Sequence, residues 1–187
     1  MASFNHYIDK IDMRFWRRLC QEEGRLRHYA KGDFFLRAGE VARRFGFIES
    51  GCFKYSVTDA SGEERITGFA PRNNLAGDFY SAVRQAPALN NLEATTDAAV
   101  WVIDTQRVRQ CLDARPDIKQ AFAEDMFRMA HERYLNLYRK SPKERYLELV
   151  TCYPETLQQV TLRELASYLQ ITPTHLSRIR KDIFAGK

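Results

Sequence analysis

The chain has 187 residues, 44% hydrophobic and 28% charged, a length for one large domain or two small ones and a composition that excludes a disordered chain. No apolar run reaches the length of a membrane span, and the opening MASFNHYIDK lacks the basic-then-apolar order of a secretory signal, so a cytoplasmic protein is expected. The net charge is +5, and residues 139–187 hold nine Lys or Arg against five Asp or Glu; most of the surplus sits in the last quarter, which points to a polyanion partner.

The first thirty residues read as helix. Ile8, Ile11, Phe15 and Leu19 recur at helical spacing, and Gly24 is the stop signal. The pattern then changes to short strands expected at 34–37, 45–49, 53–57, 66–69, 92–96 and 99–103, separated by turn residues such as Asp59 to Gly62. Short strands punctuated in this way indicate an all-β barrel or jelly roll. Residues 75–91, LAGDFYSAVRQAPALNN, break the pattern and read as a short helix or irregular insertion.

Helices follow. Asp104 or Thr105 caps a short one over residues 108–112, and Pro116 opens a long one running to about Arg139. Its apolar stripe is Ile118, Phe122, Met126 and Met129, continued by Leu137 and interrupted by Arg133. A narrow stripe on a helix of ~24 residues, ~36 Å long, suits pairing with a second copy. Phe122, Met126, Met129 and Leu137 are therefore the expected homodimer interface.

Three start signals come next. Ser141-Pro142-Lys143-Glu144 and Thr161-Leu162-Arg163-Glu164 are capping boxes, and Thr172 precedes Pro173. In a capping box the hydroxyl accepts the third helical amide while the Glu reaches back to the cap amide. Short helices are expected from about 142, 162 and 173. The last two lie about three residues apart, with Leu165, Leu169, Ile171, Leu176 and Ile179 as apolar positions and small Ala166 at the crossing. Packed over a helix carrying Tyr146, Leu147, Leu149 and Val150, they make a helix-turn-helix at 161–183. Gln170 stands where a turn usually has Gly, which tolerates a left-handed backbone.

The polar face of the last helix offers Thr174, His175, Ser177, Arg178 and Lys181. Arg178 is the candidate for a bidentate guanine contact, with Thr174 and His175 as adaptable partners. Thr172, Ser177, Arg180 and Lys181 are the candidates for phosphate. Cysteines at 20, 52, 111 and 152 form no closely spaced pair, so neither a zinc nor an iron–sulfur site is expected. A metal-dependent β-barrel enzyme needs His ligands in the barrel, and none lies between His28 and His131. No catalytic constellation, metal or cofactor is expected.

A β unit, a long helix and a C-terminal helix-turn-helix, in that order, resemble the CRP/FNR family of transcription regulators. The resemblance rests on KGDFFLRAGEVARRFGFIESGCFKYSV and on ELASYLQITPTHLSRIRKDI. It implies an α+β architecture: a double-stranded β-helix (jelly-roll) sensor with an N-terminal helix at 1–113, a dimerisation helix at 114–140 and a DNA-binding domain at 141–187. It also implies double-stranded DNA and RNA polymerase as partners, a palindromic operator and a small-molecule effector in the roll. Gly77, Asp78, Phe79, Tyr80 and Arg84 fall where such an effector pocket is expected. The Arg of the family's phosphate cassette is missing near Ala88-Leu89-Asn90, so cyclic AMP is not the expected ligand. The family's wing hairpin has only residues 158–160 to form it. The competing reading is a dimeric β-roll module that binds a small molecule and not DNA.

Overall fold

The computed structural model describes residues 12–185, so Ile8 and Ile11 lie outside the described residues. Helix α1 (Met13–Glu23) starts where the Asp12 carboxylate accepts the amides of Arg14 and Phe15. It ends at Gly24, where a Cβ would strike the carbonyl oxygens of Cys20 and Val102. Residues 25–29 are not helix as the sequence suggested. They form strand β1 (Arg25–Tyr29), an edge strand with four exposed residues whose sequence carries no strand alternation.

Seven more strands follow: β2 (Phe34–Leu36), β3 (Arg44–Ser50), β4 (Cys52–Thr58), β5 (Glu64–Pro71), β6 (Leu75–Ala76), β7 (Asn91–Ala94) and β8 (Ala98–Asp104). They build two four-stranded antiparallel sheets, ordered β1-β8-β3-β6 and β2-β7-β4-β5. The insertion read between residues 75 and 91 contains β6 and helix α2 (Phe79–Arg84). Helices α3 (Thr105–Ala114), α4 (Pro116–Arg139), α5 (Pro142–Cys152), α6 (Pro154–Leu157), α7 (Leu162–Tyr168) and α8 (Pro173–Phe184) complete the chain.

Three apolar clusters organise these elements. Between the sheets lie Tyr29, Phe35, Ile48, Phe53, Leu92 and Val100, with the Tyr29, Phe35 and Phe53 rings 5.6 to 6.2 Å apart. Each such side chain contributes roughly 1.5–3 kcal/mol on burial. On the outer face of β3 and β8, Phe45, Phe47 and Ile103 pack under Trp16 and Leu19 of α1, Val108 and Leu112 of α3, and Phe122 of α4. On the outer face of β4 and β5, Cys52, Ile66 and Phe69 join Tyr146, Leu149, Leu165, Ala166, Leu169, Leu176 and Ile179. The C-terminal helices thus share a core with the roll.

Candidate nucleic-acid interface and effector region

The three start signals form as the sequence dictates. Both capping boxes close: Ser141 and Glu144 at α5, Thr161 and Glu164 at α7, each with the hydroxyl and carboxylate bonds in place. The Thr172 hydroxyl accepts the His175 amide at 3.2 Å and Pro173 opens α8. Between α7 and α8 the amide of Gln170 donates to the Ser167 carbonyl and that of Ile171 to the Ala166 carbonyl, both at 3.0 Å. This pair of bonds is the Schellman termination, which demands a left-handed residue. Gln170 supplies it with φ 59°. A non-glycine residue accepts this conformation at a cost of ~1–2 kcal/mol, and the two bonds offset it.

α8 separates into two faces. Leu176 and Ile179 are buried with Leu165, Ala166 and Leu169. Thr172, Thr174, His175, Ser177, Arg178, Arg180 and Lys181 are exposed. Except for the capping Thr172, no side-chain hydrogen bond or ion pair engages them among the described residues. Charged side chains held apart from internal partners on one rigid face are what a polyanion requires. No strand occurs among the described residues after Asp104, so residues 158–160 form no wing hairpin; α6 and a turn take that place.

The contact between α7 and the roll was not legible in the sequence. Lys54, on β4, is 8% exposed and reaches Glu64 at 3.0 Å, Glu164 at 3.5 Å and Glu93 at 3.6 Å. Burial alone would lower its pKa, but the three carboxylates outweigh that and hold the ammonium charged. Glu164 therefore serves both as the α7 capping residue and as a Lys54 partner. Beside it, Ser167 Oγ accepts the Ile66 amide at 3.0 Å and the Phe69 and Tyr168 rings lie 5.5 Å apart. Arg133, the residue that interrupts the α4 stripe, donates to the Thr67 carbonyl and stands 5.5 Å from the Tyr168 ring centroid. Arg145 donates to the Leu169 carbonyl at 2.9 Å, and burial lowers its pKa. A cleft of about 1480 Å³ runs between β5, α4 and α7.

The five effector-pocket residues do not converge inside the roll. Asp78 caps α2, its carboxylate accepting the Ser81 amide at 2.9 Å. The Gly77 carbonyl, at φ 149°, accepts the Tyr55 hydroxyl at 3.0 Å. Burial raises the Tyr55 pKa, so the phenol stays protonated and donates. Ser81 Oγ accepts the Ala42 amide and donates to the Ala86 carbonyl. Ala88, where the cassette's Arg would fall, is buried and bonded through its backbone to Gly39 and Glu40. Phe79, Tyr80 and Arg84 face outward instead, into a separate cavity toward α3 and α4.

The predicted interface residues on α4 also divide. Phe122 is buried, its ring 5.0 Å from Trp16 and 4.5 Å from Phe79, and Met126 packs beside it. Met129 is half-buried and Leu137 exposed. The free face belongs to a neighbouring stripe: Phe127 is 71%, Tyr134 55% and Tyr138 74% exposed. His131 stacks on Phe127, and Tyr138 donates to Tyr134. The sequence carried this signal in the spacing of 127, 131, 134 and 138, which the stripe through Phe122 obscured.

Residues 26–115, from β1 to the end of α3, match the sequence family described as the cyclic nucleotide-binding domain. Most of the chain superposes on solved structures. FixK2 from Bradyrhizobium japonicum is 17% identical, with a TM-score of 0.72 over 87% of this chain and 85% of that one. CLP from Xanthomonas campestris, described as a c-di-GMP-responsive global regulator, is 18% identical, with a TM-score of 0.67 over 91% and 90%. The catabolite activator protein of Thermus thermophilus is 18% identical, with a TM-score of 0.56 over 90% and 82%. The chain has the CRP/FNR fold. At these identities the likeness is one of architecture. No curated protein matches the chain by sequence. Within this fold the two sheets form the β-roll, α4 is the long helix that follows it, and α7 and α8 are the last two helices. Among the described residues no helix is long and apolar enough to cross a membrane, and no group of three or more His, Cys, Asp or Glu is placed to hold a metal ion.

Proposed function

We propose that the protein is a homodimeric, sequence-specific DNA-binding transcription regulator. The observation that carries this reading is the α8 surface: Thr174, His175, Ser177, Arg178 and Lys181 stand exposed and uncommitted on a helix whose other face is locked into the core. Helices of this kind enter the major groove with their N-terminal residues on base edges. Arg178 reads a guanine, Thr174 and His175 adapt to neighbouring bases, and Thr172, Ser177, Arg180 and Lys181 hold phosphate.

Two copies pair through α4, on the stripe of Phe127, His131, Tyr134 and Tyr138 with Leu137 at its margin, while Met129 lies about 200° round the helix from Phe127, on the Phe122 side. Phe122 and Met126 are engaged within the protomer and stabilise it instead. The pair places two recognition helices about one helical turn apart, so the operator is a palindrome. A regulator of this kind acts in the cytoplasm and can meet RNA polymerase at the promoter. The roll is a sensor, and the Tyr55–Gly77 bond together with Ala88 disfavours a cyclic phosphate within it.

The test is sedimentation and DNA binding of the Phe127→Glu/Tyr138→Glu variant. Both positions are exposed in the protomer. The variant is expected to sediment as a folded monomer with operator binding lost. An unchanged dimer mass would move the interface off this stripe.

A further inference from the structure

Between α2, α3 and α4 lies a cavity of about 410 Å³, lined by Phe79, Tyr80, Val83, Leu112 and Ala123 with Arg84, Arg109, Asp113 and Lys119. Its volume falls in the ~300–1,000 Å³ range of small-molecule sites. Its lining comes from α2, α3 and α4, with no residue of the two sheets among it. Its floor is apolar: Phe79 lies 4.5 Å from the buried Phe122 ring.

The polar groups at its edge are not equivalent. Lys119 is paired to Asp113 at 2.7 Å. Arg109 donates to the Ala82 carbonyl at 2.9 Å and the Thr105 hydroxyl at 3.4 Å, which fixes its guanidinium beside the cavity. Arg84 has no hydrogen-bond or ion-pair partner among the described residues. The cavity thus joins an apolar floor, one positioned guanidinium and one uncommitted guanidinium. A guanidinium beside an apolar wall selects a carboxylate on a hydrophobic body, because the fork takes the head in two parallel bonds while the body is removed from water.

We infer that this cavity is a binding site for a small amphipathic carboxylate, with Arg84 taking the head and Phe79, Val83 and Leu112 the apolar body. The site touches α4 at Ala123, one turn before Phe127 of the free stripe, so occupancy tightens α2 and α3 onto the helix that pairs. That regulatory consequence rests on the dimeric DNA-binding reading; the binding itself does not.

The probe is decanoate, titrated calorimetrically into the full chain without DNA, with decanol as the uncharged control. Saturable binding of one decanoate per chain is expected, with decanol at least about tenfold weaker. Arg84→Glu, a surface charge reversal that leaves the fold intact, is expected to weaken decanoate by about tenfold or more. Val83→Trp, which fills the cavity, is expected to abolish it with the circular dichroism spectrum retained. No saturable binding, equal binding of decanol, or binding unchanged in Arg84→Glu would overturn the assignment. DNA binding is measured separately, so its failure would count against the proposed function and leave this site standing.

Discussion

Two short helices begin alike and end up with opposite roles. Asp78 caps α2 and Thr172 caps α8, each through a side-chain oxygen that accepts an amide three residues on. Around the start of α2 the polar groups are turned inward and consumed: the Gly77 carbonyl by Tyr55, Ser81 by Ala42 and Ala86. Along α8 the polar groups are turned outward and left open, over an apolar underside. Satisfied polar groups fix a structure, and rigidly held unsatisfied ones offer a surface to a partner. By this difference the α2 start is a fixed part of the roll, and α8 is the face we propose for recognition.

The sharpest break of that comparison is at the underside of α8. Leu176 is fully buried, and Leu176→Ala is expected to cost ~2–5 kcal/mol of stability by leaving a cavity, read by urea denaturation. A loss below about 1 kcal/mol would mean the helix is not locked to its core. On the outer face the effect moves from stability to binding. Arg178→Ala is expected to leave the urea midpoint unchanged and cost ~1–3 kcal/mol of specific DNA binding, relaxing one base position. Equal loss on every sequence would assign Arg178 to phosphate.

At α2 the expectation is reversed. Tyr55→Phe removes the bond to the Gly77 carbonyl and should cost about 1 kcal/mol of stability with no change in DNA affinity. The smallest effect concerns Cys52, which lies beneath the C-terminal helices. Burial pushes its thiol up to about 12. A group whose folded pKa is raised contributes stability that is complete below its unfolded value, ~8.5 for a thiol, and is lost as pH rises toward the folded value. The urea midpoint should therefore decline from about pH 9 upward, and Cys52→Ala should flatten part of that decline. The same burial should make Cys20 and Cys52 slower to alkylate than the half-buried Cys111 and Cys152.

What the sequence revealed follows from how local each signal is. The caps at Ser141, Thr161 and Thr172 depend on residues three positions away, and all three form. The strands with clear alternation, such as β4, were legible for the same reason. β1 was not, because its stability comes from pairing with β8, distant in the chain. The α4 stripe was ambiguous in the sequence because the helix has two apolar faces, and the packing of Phe122 on Trp16 and Phe79 shows which of them is engaged within the protomer. The Lys54 cluster gathers Glu64, Glu93 and Glu164 from three separate elements, a juxtaposition that no local pattern encodes. Among the candidate DNA contacts every residue is exposed, while the effector residues were placed by resemblance and divide between the bonds at the start of α2 and the cavity lined by Phe79, Tyr80 and Arg84.

The central claim is that the open face of α8 reads DNA sequence as one half of a symmetric dimer. Its most direct test is selection of bound fragments from a genomic DNA library at low and at elevated salt, followed by sequencing. A palindromic motif is expected, with half-sites about one helical turn apart, that persists as salt rises while non-specific binding fades. Absence of binding at low salt, or enrichment without any symmetric motif at either salt, would contradict it.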